Sequence, residues 1–374
     1  MSVPLDRQAL VDLDAIRANV TALAERVGGS QVMAVVKADG YGHGMVPAAQ
    51  AALAGGASWL GTADLAEALA LRAAGITAPV LCLMAVGDPA DAIRAGIDVT
   101  AGSAAYLARV AKAAARAGVP ARLQLEADTG LSRGGATSAD WPGLVDAALA
   151  AQAAGALRVT GLWSHFACAD MPGHPSVAAQ LAAFADAVTS AEKAGVTPEV
   201  RHMANTAAAL TVPASRLDLV RFGGGLYGVS TLPGGAPSWL RPAMTLSARL
   251  ALVKRVPAGS GVSYGHHYVT SRETTLGLVP LGYADGVPRA AAGRPLVAAR
   301  GRRWPIAGTV CMDQFVVDFG DEPVTAGEEV VLFGPGETGE PTAQEWGEAL
   351  GTISYDLVTG IGSRVSRTYR GGSR

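Results

Sequence analysis

Between residues 32 and 228 the chain repeats one unit: a short apolar run rich in Val, Leu and Ile, then an alanine-rich stretch with helical spacing. The runs are VMAVVK, SWLGTA, VLCLMA, IDVTA, ARLQLEA, VTGLWSHF, EVRHMA and LDLVRFG, separated by stretches such as LAEALALRAAG and AAYLARVAKAAARAG. Strands that are apolar along their whole length need cover on both faces, and crossover helices between parallel strands supply it. Eight such units close most simply as a (β/α)8 TIM-type barrel, with an open doubly wound sheet as the alternative. After LYGVS the rhythm stops at the Pro- and Gly-rich PGGAPSWLRP, and the runs MTLSARLALVKRV, TLGLVPLGYA, PLVAARG, PIAGTV, FVVDFG and EEVVLFG follow with few helical stretches between them. The expected fold class is α/β, with a barrel over residues 1–238 and a mainly-β C-terminal domain over 239–374. The short run ALVDL near the N-terminus can pack with that second domain.

Composition narrows the function classes. A formal net charge of −2, with arginines scattered along the chain, gives no basic field for a nucleic-acid backbone. Cys82, Cys168 and Cys311 are odd in number and lack C-x-x-C spacing, which speaks against a disulfide framework and a structural zinc site. His174, His266 and His267 have no partners at metal-ligand spacing, so no metal is expected. Neither a leader-like N-terminus nor a bilayer-length apolar window is present, and the expected location is the cytoplasm, with no membrane partner.

In a barrel the C-terminal ends of the strands converge on one mouth. Lys37 ends the first run, Arg133 follows the fifth, His165 lies in the sixth, His202 with Asn205 and Thr206 ends the seventh, and Arg221 with Gly223 and Gly224 ends the eighth. A lysine at the end of a buried strand is expensive to desolvate unless its amine is wanted uncharged, and the chain has only three others, Lys112, Lys193 and Lys254. Such an amine beside glycines and a hydroxyl that can cradle a phosphate suggests pyridoxal 5′-phosphate.

These segments resemble the alanine racemases, fold-type-III pyridoxal-phosphate enzymes, over nearly the whole chain and in the same order: AVVKADGYGHG, DTGLSRGG, SHFACAD, HMANTAA, VRFGGGLYG, GVSYGHHY, PLGYADGVPR, GTVCMDQ and TISYDLVTGIGSRV. The β-rich last third separates the chain from one-domain pyridoxal-phosphate barrels. The resemblance implies that Lys37 carries the cofactor as a Schiff base and acts as one of two bases, with Tyr264 the other. Tyr264 would come from the second subunit of a homodimer with shared active sites. It implies that Arg221 hydrogen-bonds the pyridine nitrogen, that His165 links Arg221 toward the tyrosine, and that Tyr41, Asn205, Thr206, Gly223, Gly224 and Tyr355 hold the cofactor and its phosphate. Thr206 stands where serine is more usual. Arg133 and the backbone of Met312 would grip the substrate carboxylate, with Met312 from the partner subunit. Tyr283, Arg289, Cys311 and Asp313 would line the entrance or order its loops.

The implied activity is interconversion of L- and D-alanine, which in bacteria supplies D-alanine for peptidoglycan. Rivals on the same reading are a broader amino-acid racemase, a decarboxylase and a non-catalytic cofactor carrier. Arg133 argues against the decarboxylase and Tyr264 against the carrier. Glu126 occupies a position where many relatives carry a lysine that can be carbamylated. Its charge is expected to substitute for the carbamate and orient Arg133, directly or through water.

Overall fold

The computed structural model describes residues 6–294 and 296–372. After an N-terminal strand β1 (Arg7–Asp12) come β2 (Gln31–Val35), β3 (Trp59–Thr62), β4 (Val80–Cys82), β5 (Asp98–Ala101), β6 (Ala121–Glu126), β7 (Leu157–Trp163), β8 (Val200–His202) and β9 (Leu219–Phe222). These last eight form a closed barrel of parallel strands in sequence order, sealed where β9 pairs with β2. Each apolar run read from the sequence overlaps one barrel strand, and the open-sheet alternative falls away.

The helices between the strands start and stop where local chemistry dictates. Asp64 and Glu67 form a capping box on helix Leu65–Ala73, Ser103 caps Ala104–Ala117, and Gly118 ends that helix with a left-handed φ of 76° that a side chain would resist. Alternation along each strand then divides the core in two. Val32, Ala34, Leu60, Val80, Leu123, Leu125, Val220 and Phe222 pack outward with the helices, while Met33, Trp59, Leu81, Val200 and Leu219 form a separate apolar plug inside the barrel. Inward positions nearer the mouth are polar: Gln124 on β6, His202 on β8 and Arg221 on β9, all almost wholly buried.

The rest of the chain adds β10 (Met244–Arg249), β11 (Leu252–Val256), the two-residue strands β12 (Gly261–Val262) and β13 (Tyr268–Val269), then β14 (Thr274–Val279), β15 (Leu296–Ala299), β16 (Arg302–Ala307), β17 (Phe315–Asp318), β18 (Glu329–Phe333) and β19 (Ser366–Arg370). They build a nine-stranded sheet in the order β11-β14-β17-β16-β15-β18-β10-β1-β19, with β12 and β13 paired apart from it. The N-terminal run belongs to this sheet: β1 pairs antiparallel with β10 and parallel with β19. Two helices, Ala343–Leu350 and Ser354–Gly360, and the polar strand β19 lie outside the elements named from the sequence. Among the described residues no helix is long and apolar enough to cross a membrane, and no three His, Cys, Asp or Glu side chains gather as metal ligands would.

Gly161 on β7 faces Gln124 across the ladder, and a Cβ there would lie 2.7 Å from the Gln124 carboxamide carbon. Gly161→Ala should therefore overpack the barrel interior and lower unfolding free energy by about 1–3 kcal/mol. A thermal melt unchanged from the wild type would show that the interior can absorb the methyl.

Candidate active site

A cavity of about 490 Å³ opens at the C-terminal mouth of the barrel. It brings together Lys37, Tyr41, Glu126, Arg133, His165, Asn205, Thr206, Arg221, Gly223, Gly224 and Tyr355, eleven positions singled out from sequence and drawn from distant parts of the chain. The strand boundaries differ slightly from expectation. β2 stops at Val35, so Lys37 opens a short turn instead of ending the strand, and β7 stops at Trp163, two residues before His165.

The turn after Lys37 is unusual. Ala38, Asp39, Gly40, Tyr41 and Gly42 all have positive φ, at 53°, 52°, 63°, 54° and 80°. For a non-glycine residue the left-handed region costs roughly 1–2 kcal/mol, so surrounding contacts must hold Ala38, Asp39 and Tyr41 there. The Met45 N–H donates to Asp39 Oδ1 at 2.8 Å, the Gly44 N–H to the Asp39 carbonyl at 2.8 Å, and buried His43 directs Nδ1 at the carbonyls of Gly40 and Tyr41.

Arg221 is the centre of the buried polar group. One Nη donates to His202 Nδ1 at 2.7 Å, and the other reaches the carbonyls of Ser164 and Met203 and His165 Nδ1 at 2.9 Å. Because a guanidinium can only donate, both imidazoles must accept through Nδ1, which places any proton of the neutral rings on Nε2. The His202 Nε2–H then donates to Gln124 Oε1 at 2.7 Å. Gln124 is in turn oriented by Asp98, whose carboxylate accepts from Gln124 Nε2 at 3.2 Å, Thr160 Oγ1 at 2.6 Å and Arg122 Nε at 2.6 Å. A hydrogen-bonded chain of fixed polarity thus runs Asp98, Gln124, His202, Arg221, His165. The Arg221 Nε–H has no partner among the described residues, and Arg221 lines the cavity.

Burial and the clustered cations set the protonation states. Burial, then Arg221, Arg133 and Lys37, pull His165 down to about 3, and burial with Arg221 pulls His202 well below the ordinary histidine range. Both rings are neutral at pH 7. Folding therefore loses stability as pH falls below about 6.5, where the unfolded histidines take up protons that the folded ones refuse. Arg221 drops to about 10, through burial partly offset by Glu126, and remains a cation. Burial, Arg133 and Arg221 also lower Lys37, against Glu67.

Glu126 departs from the expected arrangement. Its carboxylate lies against the Gly134–Gly135 turn, close enough that a Cβ on Gly134 would stand 3.1 Å from Oε1, and it makes no ion pair or hydrogen bond with Arg133. Arg133 has no anionic partner among the described residues and faces the cavity. Burial raises the Glu126 carboxyl to about 7, with Arg221 and Arg133 opposing.

Across the cavity, Gly223 and Gly224 present bare backbone to tyrosine hydroxyls: a Cβ on Gly223 would strike that of Tyr41, and one on Gly224 that of Tyr355. The Gly223 N–H donates to Thr206 Oγ1 at 3.2 Å, leaving the threonine proton free to donate, and Asn205 caps helix Thr206–Thr211 through the Ala208 N–H at 2.9 Å. Gly224 begins a short 3-10 turn whose first N–H groups have no partner within the turn.

Tyr264, Tyr283, Arg289, Cys311, Met312 and Asp313 do not line this cavity. Most of them form one exposed group in the C-terminal part. The Tyr264 carbonyl accepts from Thr309 Oγ1 at 3.0 Å, Ser263 Oγ meets Cys311 Sγ at 3.2 Å, and the Cys311 and Met312 carbonyls accept from the Tyr283 and Ala284 N–H groups. Asp313 pairs with Arg364 at 2.7 Å. Tyr264 is 72 % and Met312 52 % exposed. Sequence reasoning did not pick out Gln124 or Asp98, which lie inside strands and meet partners far away in the chain.

Comparison with known proteins agrees along the whole length. The family model for the alanine racemase N-terminal domain matches residues 11–231, and that for the C-terminal domain matches 243–369. The chain is 60% identical to the alanine racemase of Thermobifida fusca, covering 98% of this chain and 99% of that one, and 59% identical to that of Frankia casuarinae, covering 96% and 95%. Among solved structures, the alanine racemase of D-cycloserine-producing Streptomyces lavendulae superposes with a TM-score of 0.98 at 56% identity, covering 100% of this chain and 99% of that one. The Bacillus anthracis alanine racemase with bound L-Ala-P gives 0.91 at 34% identity, covering 100% and 97%. With its eight-stranded barrel, its β-rich second part and the side chains gathered at the barrel mouth, the chain belongs to the alanine racemase family.

Proposed function

We propose that the protein is a cytoplasmic homodimer that interconverts L- and D-alanine by a two-base mechanism with pyridoxal 5′-phosphate, supplying D-alanine for peptidoglycan. The observation that carries this reading is the pairing of Lys37 with Arg221 in one cavity of the right chemistry. Bare glycine backbone, a free threonine proton and two tyrosine hydroxyls suit the phosphate, and the uncommitted Arg221 Nε–H suits the ring nitrogen, which accepts a hydrogen bond. When bound, the cofactor offers an aldehyde for an amine and an electron sink beside the substrate Cα.

The chain's own groups supply the rest. Burial and two neighbouring guanidinium groups favour the uncharged amine of Lys37, the form that can attack a carbonyl and accept a proton. Arg221 donates a hydrogen bond but does not surrender a proton at working pH, so the ring nitrogen stays unprotonated and the electron sink weak. That suits proton exchange between two positioned bases over reactions needing a longer-lived charge. Arg133, with no anionic partner in the protein, is available for the substrate carboxylate. Tyr264 is too exposed to serve its own cavity, and with Met312 it forms the face through which a second copy completes the site.

Lys37→Ala should abolish the visible absorbance of the bound cofactor and any borohydride-fixed adduct; an adduct retained on another lysine overturns the assignment. Mixing inactive Lys37→Ala with inactive Tyr264→Phe should restore activity, because the mixed dimer holds one intact site. No recovery, with subunit exchange verified by mass, would contradict a shared site. For Glu126, ionisation near neutrality places an anion beside Arg133 only above about pH 7. Wild-type kcat/KM should rise through that region, whereas Glu126→Gln should lose the rise and stand a few-fold below the wild type at pH 8–9, the effect of a nearby charge that makes no contact with Arg133. Bicarbonate should have no effect, and a profile unchanged by the substitution would remove Glu126 from the account.

A further inference from the structure

We propose that Glu67 is the positioning residue for Lys37: its carboxylate clamps the Ala38 backbone at the front of the left-handed turn and so fixes the direction in which the lysine leaves the barrel. The inference rests on Lys37 being the cofactor lysine.

Glu67 is the third residue of helix Leu65–Ala73 and looks like an ordinary capping-box glutamate. Its carboxylate does more than cap. Oε2 accepts from the Ala63 N–H at 2.8 Å and the Asp64 N–H at 3.4 Å, at the helix start, while Oε1 turns away to accept from the Ala38 N–H at 2.7 Å. The ladder between β2 and β3 ends nearby, where the Val36 N–H donates to the Gly61 carbonyl at 2.8 Å. Beyond it the chains diverge, and the Glu67 carboxylate joins Ala38 on one side to Ala63 on the other. It replaces the next rung of the sheet at the place where Lys37 projects.

The turn has many fastenings at its far end: Asp39 Oδ1 on the Met45 N–H, the Gly42 and Gly44 N–H groups on the Ala38 and Asp39 carbonyls, His43 on the carbonyls of Gly40 and Tyr41, and Arg367 Nε on the Gly42 carbonyl at 3.1 Å. The amide that follows Lys37 has one partner, and it is Glu67. Glu67 does not line the cavity; besides the through-space pull of its charge on the Lys37 amine, which Glu67→Asp retains, it reaches the lysine through the backbone. Both its oxygens face N–H donors. A carboxamide can satisfy only one side, and an aspartate, one methylene shorter, can keep the helix cap but not reach Ala38.

The test compares Glu67→Gln, Glu67→Asp and Asp64→Ala. The last removes the other half of the capping box, where Asp64 Oδ1 accepts from the Glu67 N–H at 2.9 Å, without touching Ala38. Two readouts are taken on cofactor-free protein: hydrogen exchange of the segment 36–42, and the rate at which added pyridoxal 5′-phosphate becomes fixable by borohydride at Lys37. In both Glu67 variants exchange at Ala38 should speed up, and capture should slow, by about ten- to a hundredfold, the range of a hydrogen bond to a charged group. Asp64→Ala should change neither while lowering the melting temperature. Should Glu67→Gln not fold, Glu67→Asp carries the test. The proposal is overturned if Asp64→Ala reproduces both effects, if both Glu67 variants exchange like the wild type, or if exchange speeds up with capture unaltered. An adduct fixed at another lysine in the wild type refutes the cofactor-lysine assignment instead, and leaves the Ala38 exchange result to be read separately.

Discussion

Everything at the barrel mouth is arranged around one buried cation. Arg221 is almost completely desolvated, and a guanidinium in that position is tolerable only if its N–H groups meet acceptors. The acceptors are not carboxylates. Two imidazoles and two backbone carbonyls take the protons, so the charge is solvated by dipoles and is not neutralised at contact distance. This forces both imidazoles to be neutral with the proton on Nε2, and the carboxylate of the hydrogen-bonded chain, Asp98, stands at its far end beyond His202 and Gln124. A carboxylate placed directly on Arg221 would remove its share of the lowering of Lys37, which adds to that of burial and Arg133. The same field opposes the burial that raises Glu126, and it deepens the depression of His165.

The architecture separates two kinds of chemistry. The barrel cavity holds the amine, the buried cation, the glycine cradle and the exposed Arg133. Tyr264 and the Met312 loop sit apart, held by contacts of Thr309, Ser263 and Asp313, and both Tyr264 and Met312 are exposed. Under the function proposed above, a single chain carries two half-sites. On that proposal the two bases come from different chains, on opposite sides of a substrate, and activity is tied to association.

Much of this was legible in the sequence. The eight barrel strands announced themselves because strands covered on both faces must be apolar throughout, and the alanine-rich helices between them share no such pattern. Lys37, Arg133, His165 and Arg221 stood out as polar residues at strand ends, where a barrel concentrates its chemistry. The rest was hidden for physical reasons. Gln124 in LQLEA reads as a solvated strand residue, and only closure of the barrel reveals that His202 and Asp98 satisfy it. Strand β19, SRTYR, lacks an apolar signature because an edge strand is half exposed. Glu67 satisfies a capping pattern so well that nothing local hints at its second oxygen. A direct contact between Glu126 and Arg133 is absent because a strand glutamate reaches the adjoining glycine turn before it reaches a side chain projecting from that turn.

The central claim is that Arg221 is a buried cation flanked by two neutral histidines of fixed tautomer. The direct measurement is nitrogen-15 NMR of the protein labelled at the histidine side chains, titrated from pH 9 to pH 5. His165 and His202 should show one protonated and one unprotonated ring nitrogen throughout, with the proton on Nε2 and no inflection. An imidazolium signal from either residue at pH 7, or a proton on the Nδ1 that faces Arg221, would contradict that claim.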